Sequence, residues 1–275
     1  MLARSRVSRQ GLTLMELVVV MTILAALAAV AVAMFPNLLR RSHKVVDATN
    51  SSEVAKIVQL HQAMYLDYPD QLDLMTVAAG TTAPSFLPND GGAVFGNGAQ
   101  IGTLTAAEAG HLGRVGIKNG HHFVATGPGH PTMNPYDPAV PIATPTPLAS
   151  GTNVFIIDTT TTGDYPQEIK TLIARDATAR FVVFGFGARN TAVGTLVQNA
   201  PVNPPQNSEL TPANHYCRVG VIFQISGAGI DETHASGIAG TKRARFIGAC
   251  ALEDDEIEST EKDLVGYYDV VNSKQ

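Results

Sequence analysis

The most apolar part of the chain is a run of nineteen residues, Leu17–Phe35, in which Thr22 is the only polar residue. As a helix that rises about 1.5 Å per residue, the run would span roughly 28 Å, close to the ~30 Å hydrocarbon thickness of a bilayer. Arg4, Arg6 and Arg9 precede it, and the first ten residues contain no acid, a distribution that holds this end in the cytoplasm. The pattern predicts one membrane-spanning or membrane-targeting helix, with the rest of the chain exported.

A second helical pattern follows the apolar run. Side chains at three- and four-residue spacing between residues 54 and 65 predict a helix with one buried face. That face comprises Val54, Ile57, Val58, His61, Met64 and Tyr65. The helix should stop at Tyr68-Pro69-Asp70, because proline disfavours helical backbone in the residue before it. We therefore expect one helix from Leu12 to Asp67, with His61 as a hydrogen-bonded packing residue.

The remainder of the chain is typical of strands and loops. Segments rich in β-branched and aromatic residues, with turn residues at their ends, predict strands. They are Asn153–Asp158, Arg180–Phe186, Tyr216–Ile225, Arg243–Leu252 and a short Tyr267–Val271. Short helices are predicted at Gln71–Ala79 and around Ala106–Gly110. Because several strands follow one another directly, we expect an α+β fold in which the amphipathic half of the long helix packs on an antiparallel sheet.

Charge and composition exclude one class of partner. The formal net charge of the chain is −5. Without the three leader arginines the chain has 16 basic and 24 acidic side chains, which gives a net charge of −8. The chain has no tryptophan and no basic stripe. Nucleic acid is therefore not an expected partner.

The sequence Gly11-Leu12-Thr13-Leu14-Met15-Glu16-Leu17 places a single acid at the mouth of the apolar run. A carboxylate inside such a run weakens membrane insertion, by up to ~2.5–3.5 kcal/mol at a helix centre and less at its edge. With its basic leader, this stretch closely resembles the leader junction of type IV prepilins and type II secretion pseudopilins. The resemblance covers about residues 4–40.

The resemblance implies processing and assembly. In that family a prepilin peptidase cuts after the glycine, here Gly11. The new amino terminus, here Leu12, is usually N-methylated, and the apolar helix stays in the mature protein. The glutamate at the fifth mature position, here Glu16, meets the amino-terminal charge of a neighbouring subunit. A buried acid is tolerable when it is paired with a buried amine.

Hydropathy and resemblance together predict four segments. Residues 1–11 are a leader removed by the peptidase, and residues 12–35 are the transmembrane and assembly helix. Residues 36–68 continue that helix as an exposed amphipathic segment, and residues 69–275 form an exported, β-rich, pilin-like head. The expected location is the bacterial inner membrane, with a cytoplasmic amino terminus, and the periplasm or cell surface after assembly.

Two functions remain open at this point. The favoured one is a structural subunit of a type IV pilus or a type II secretion pseudopilus. Its partners would be other pilin-like subunits, prepilin peptidase, the inner-membrane assembly platform and membrane lipid. The alternative is a membrane-tethered or secreted periplasmic binding domain that forms no filament. A secretory signal peptide ending at Ala31-Val32-Ala33 would fit that alternative, but it leaves Glu16 unexplained.

Catalytic motifs are missing from the sequence. It contains no P-loop, no G-x-S-x-G and no H-E-x-x-H pattern. A lone G-x-G at Gly185-Phe186-Gly187 lies outside any βαβ pattern and is typical of glycine at a strand edge. We therefore do not expect an enzyme.

Both cysteines, Cys217 and Cys250, lie in the exported part. An oxidising compartment favours a disulfide across their 33-residue separation, which loop entropy would make worth about 3–4 kcal/mol. Many type IV pilins carry one such bridge near the C-terminus, so the resemblance points the same way. The alternative is two buried thiols that pack as small apolar groups.

No cofactor is expected, although two clusters could hold a metal ion. A glycine-rich segment carries three histidines, His121, His122 and His130, which could hold a transition metal. Adjacent histidines in a strand, however, point to opposite faces, which does not favour a shared metal ion. The segment 253–263 carries seven carboxylates in eleven residues, enough oxygens for calcium. Major pseudopilins hold calcium in a C-terminal loop, so the resemblance slightly favours calcium binding by this segment. A charge run between strands is nevertheless usually a solvated turn. The candidate calcium ligands are Asp254, Asp255 and Glu258.

Overall fold

The computed structural model describes residues 14–77, 94–95, 99–123, 144–161, 165–203, 216–228, 230, 242–252 and 257–259. The chain divides into two compact units, residues 1–42 and 43–275, and each is described by itself. Several predicted features lie outside the described residues: Gly11, Leu12, His130, Asp254, Asp255 and the strand Tyr267–Val271.

The first unit contains the amino-terminal part of helix α1, which spans Leu14–Tyr65. Every side chain from Leu14 to Val32 is exposed, and this stretch of 19 residues is long and apolar enough to cross a membrane by length and composition. The Thr22 hydroxyl donates a hydrogen bond of 2.8 Å to the Val19 carbonyl oxygen. The polar group inside the apolar run is thus satisfied within its own helix, as hydrocarbon requires.

The second unit begins with the remaining part of α1, which buries most of its predicted face. Val54 and Val58 are fully buried, and buried His61 shares a 2.8 Å hydrogen bond with the Asp67 carbonyl oxygen through Nδ1. The prediction for His61 is confirmed. It is wrong for Met64 and Tyr65, which are 58% and 51% exposed.

Tyr68 explains that difference. The helix ends at Tyr65, and the chain then turns back so that Tyr68, rather than the last helical turn, enters the core. Its ring lies 5.2 Å from that of Phe223, edge to face, the geometry that aromatic quadrupoles favour.

Among the described residues of the second unit, ten strands form one sheet, and two short helices accompany it. The strands are β1 Leu72–Val77, β2 Val94–Phe95, β3 Ala99–Thr103, β4 Asn119–Phe123, β5 Thr146–Pro147, β6 Asn153–Ile157, β7 Arg180–Gly185, β8 Val219–Ser226, β9 Arg245–Leu252 and β10 Ile257–Ser259. The helices are α2 Ala106–Gly113 and α3 Gln167–Arg175. The four long predicted strands and the helix near Ala106 are confirmed, and α3 was not anticipated.

The sheet is mixed, so the prediction of an antiparallel sheet is wrong in one place. The strand order is β10-β9-β8-β7-β1-β4-β5, and β6 pairs with both β7 and β3. All of these pairs are antiparallel except β1 with β4, whose connection includes β2, β3 and α2. A long crossover of this kind is what a parallel pair requires. The α+β architecture itself is confirmed.

The predicted helix Gln71–Ala79 is also wrong, because residues 72–77 form β1. Leu72 and Leu74 contribute to one core cluster and Met75 to the other. A strand with both faces buried shows a nearly continuous apolar run, which cannot be distinguished from a short buried helix by periodicity.

Both faces of the sheet carry a hydrophobic core. Along β7, Val182 and Phe184 join the cluster that includes Val54 and Val58 of α1, whereas Phe181 and Val183 join the cluster that includes Ile169 of α3. This alternation is the two-residue period of a strand. The sheet is therefore the middle layer of the head, with α1 and α2 on one face and α3 on the other.

Phe223→Ala should destabilise the head strongly. Phe223 is fully buried and its ring neighbours Tyr68, Phe184 and Phe246, so truncation leaves a cavity that costs about 3–5 kcal/mol. Thermal and urea unfolding of the purified chain in detergent would measure the loss. The matched control is Phe246→Ala, whose ring is only half-buried and whose loss should cost less. Equal effects of the two substitutions would contradict this account of the core.

Candidate functional site

Glu16 is the first acidic residue of α1. It lies in the first turn of the helix, where a negative charge is favoured by the helix dipole, and its side chain is exposed alongside the apolar side chains from Leu17 to Val32. The carboxylate therefore lies on the exposed surface of the helix, at the start of its apolar stretch. The cleavage-site residues Gly11 and Leu12 lie outside the described residues, so their roles stay predictions.

The head contains a buried pair of polar side chains that the sequence did not reveal. The Tyr216 hydroxyl donates a hydrogen bond of 2.7 Å to Oδ2 of Asp73, and both side chains are almost completely buried. Asp73 lies on β1, and Tyr216 lies just ahead of β8. The bond ties together two parts of the sheet that are 143 residues apart in the chain.

Burial dominates the electrostatics of this pair. It raises the pKa of the Asp73 carboxyl, and the Tyr216 hydrogen bond and the charge of Arg218 oppose that rise only in part. Oδ1 of Asp73 accepts no hydrogen bond in the structure, which adds to the cost of ionising it. Burial, and next the Asp73 charge, raise the pKa of Tyr216 well above its ordinary value, so its hydroxyl stays a donor.

The G-x-G sequence at Gly185–Gly187 makes room for the pair. A methyl group at Gly185 would overlap the Tyr216 hydroxyl, and one at Gly187 would overlap the Asp73 carboxylate. Gly185 is also the residue of β7 that faces Asp73 across the sheet. The motif therefore serves close packing around a sealed polar pair, which no substrate can reach.

The comparisons with known proteins identify the amino-terminal segment. Residues 6–32 match the family model described as the prokaryotic N-terminal methylation motif. No curated protein and no solved structure matches the chain. The chain carries the prepilin-type signal of type IV pilins and pseudopilins. This signal indicates a pilin-like structural subunit, and the apolar α1 segment Leu14–Val32 agrees with anchoring in the inner membrane.

The predicted disulfide of this pilin-like chain stays a prediction. Cys250 is buried on β9 and faces Gly220 of β8. Cys217 is half-buried and lies two residues ahead of β8. The two cysteines thus belong to adjacent parts of the sheet.

Two of the three histidines of the predicted cluster, His121 and His122, lie among the described residues. His121 and His122 are adjacent on β4 and both buried. Nδ1 of His122 lies 3.1 Å from the Thr76 hydroxyl oxygen, and burial lowers the pKa of this histidine. His121 contributes instead to the surroundings of Asp73. Among the described residues no group of three or more histidine, cysteine, aspartate or glutamate side chains could hold a metal ion.

The acidic run of the head falls largely outside the described residues. Only residues 257–259 of segment 253–263 are described, as strand β10, which pairs with residues 250–252 of β9. Glu258 therefore lies in a strand rather than a turn. Calcium binding by Asp254, Asp255 and Glu258 stays untested.

Asp73→Asn should change how the stability of the head depends on pH. The folded pKa of Asp73 lies above its ordinary value of 3.8, so the folded chain holds the proton more tightly than the unfolded chain. Asp73 therefore costs stability progressively as pH rises from 3.8 through its folded pKa, by about 1.4 kcal/mol per pH unit in that window. Asparagine cannot ionise, and its carbonyl still accepts from Tyr216. The Tm of Asp73→Asn minus that of the unmodified chain should increase as pH rises from about 4 to 7.

Tyr216→Phe is the companion variant. It removes the hydroxyl that stabilises the Asp73 carboxylate, so Asp73 should become still harder to ionise in this variant, and the loss of stability should continue to a higher pH than in the unmodified chain. Parallel Tm-versus-pH curves for all three chains would show that the pair does not titrate in this way.

Proposed function

We propose that the chain is a pilin-like structural subunit that is cut after Gly11, methylated at Leu12 and assembled through α1 into a type IV pilus or a type II secretion pseudopilus. The observation that carries the proposal is the methylation motif at residues 6–32, which coincides with an acid at the start of an exposed apolar helix. Neither the motif nor the helix belongs to catalysis, and the protein would act by assembly rather than turnover.

The physical basis is a pairing of charges among packed apolar helices. After cleavage the new amino group of Leu12 would lie four residues before Glu16 in the chain. Both charges are costly in a hydrocarbon environment, and each is best compensated by an opposite charge on a neighbouring subunit. Apolar helices without such a pair would associate with weaker constraints on their register.

This function implies defined partners and a defined route. Prepilin peptidase would process the leader on the cytoplasmic side of the inner membrane, and the assembly platform there would extract the subunit from lipid. Other pilin-like subunits would then be its neighbours, with the head in the periplasm or at the cell surface.

Gly11→Val should block processing, because the peptidase would no longer find the small residue at its cleavage junction. Intact-mass measurement of the membrane-bound protein is the readout: the unmodified chain should begin at methylated Leu12, and the variant should retain its leader. Ala31→Val is a matched control in the apolar run and should be processed normally. An unmodified mature protein that began at Met34 would instead indicate signal-peptidase cleavage and a secreted domain.

Glu16→Val should leave membrane insertion intact and impair assembly. Removing one partner of a buried charge pair costs about 3–5 kcal/mol, because the other charge stays unpaired. Glu16→Gln tests the charge itself, since it preserves the size of the side chain. Thr22→Val is the control, because the Thr22 hydroxyl donates a hydrogen bond within its own helix. The yield of sheared or sedimentable filaments measures the effect, and a normal yield from Glu16→Val would remove the proposed role.

A further inference from the structure

Leu66 takes up an unfavourable conformation at the C-terminal end of α1. Its φ is +63°, and its backbone N–H closes the last helical turn on the Gln62 carbonyl oxygen at 2.9 Å. Glycine or asparagine usually fills such a left-handed position, because a larger side chain is strained there. The leucine side chain is also 84% exposed. Its own chain therefore gives this strained apolar side chain almost no burial.

Two further exposed apolar side chains lie near the same end of α1. Leu60 and Met64 lie one helical turn apart on α1 and are 49% and 58% exposed, although the hydrophobic period of the helix predicts burial for Met64. We call Leu60, Met64 and Leu66 the α1-end patch. Gln59, Gln62 and Asp67 border it and are exposed as well. Polar neighbours of this kind suit a protein partner better than hydrocarbon.

The same head carries an open cleft elsewhere. It lies between α3 and β9, encloses about 390 Å³, and is lined by Glu168, Thr171, Leu172, Arg245, Phe246 and Ile247. The floor of this α3–β9 cleft is apolar where Leu172 and Ile247 lie, because both are outer members of the core on the α3 face of the sheet. Arg245 is exposed at its rim.

We propose that the α1-end patch of one copy of this chain inserts into the α3–β9 cleft of a second copy. The apolar side chains of the patch match the apolar floor of the cleft, and the exposed Asp67 beside the patch carries the charge opposite to that of Arg245. Patch and cleft are different surfaces, so the contact is heterologous: in a pair of copies, one copy keeps its cleft free and the other keeps its patch free. Such contacts propagate into open helical assemblies rather than closing into dimers.

This inference rests on the proposed function, because it names the contact between heads in the proposed filament. It differs from the pairing of Glu16 with an amino terminus, and the two can be tested separately. Its central variant is Leu66→Gly, with Leu66→Asn as a second replacement that tolerates positive φ. A leucine that served only the head's own fold would lower the Tm when it was replaced. The docking role requires the opposite: a Tm that is unchanged or raised by about 2–4 °C, together with a loss of assembly.

Disulfide cross-linking of the full-length chain in membranes provides the direct test. Leu66→Cys combined with Thr171→Cys should give cross-linked oligomers, because Thr171 is an exposed residue lining the cleft. Leu66→Cys combined with Gln198→Cys, an exposed position away from the cleft lining, is the control and should not. Sedimentable assembly of the unmodified chain is measured in parallel.

Charge reversal supplies an independent arm. Asp67→Arg should reduce the sedimentable fraction about tenfold, and adding Arg245→Asp in the same chain should restore it. Normal assembly of Leu66→Gly together with no cross-link from the Leu66→Cys, Thr171→Cys pair would overturn the docking contact and leave the proposed function intact. Failure of the unmodified, correctly processed chain to assemble would overturn the proposed function and the contact with it.

Discussion

Removal of the apolar surface of α1 from water is the constraint on which the rest of this protein depends. From Leu14 to Val32 every side chain is exposed in the isolated chain, and each large apolar side chain gains about 1.5–3 kcal/mol when it is buried. In the proposed function, lipid covers this surface before assembly, and the helices of other subunits cover it afterwards. Within it, Glu16 is the position where apolar contact alone does not satisfy the side chain.

The head buries its apolar surface within its own fold. Its sheet is covered on both faces, so strands such as β7 alternate between two cores instead of between core and solvent. A sheet enclosed in this way leaves few places for polar groups, and the Asp73–Tyr216 pair occupies one of them. The Asp73 carboxyl is costly to ionise in this buried position. The two glycines Gly185 and Gly187 leave the space that the pair occupies. The pair ties the sheet together at a cost in stability that depends on pH.

The long helix and the four principal strands could be predicted because each follows a local rule, either the hydrophobic period or β-branched enrichment. Helix α2 begins with a Thr105–Glu108 capping box, which is also a local feature. Strand β1 could not be predicted, because a strand that is buried on both faces lacks the alternation of apolar and polar residues by which a strand is recognised. Met64 and Tyr65 were assigned to the core because the helical period says nothing about where the chain turns, and Tyr68 took the place they were expected to fill. The amino-terminal motif was recognisable because its residues are contiguous. The Asp73–Tyr216 pair was not, since its members meet only through the sheet.

That separation bears on how the head folds. The hydrogen bond of Asp73 cannot form until the chain has been synthesised as far as Tyr216. Likewise, β1 cannot pair with β7 until more than a hundred further residues have been synthesised. Helix α1 forms from local contacts and is ready first, whereas long-range strand pairing is slow and leaves strand edges exposed in the meantime. In the proposed function, a chain with this order of events would cross the membrane unfolded, behind an already inserted helix, and would become a rigid head only on the far side. The helix would then hold the nascent head at the membrane during the interval in which it is most prone to aggregate.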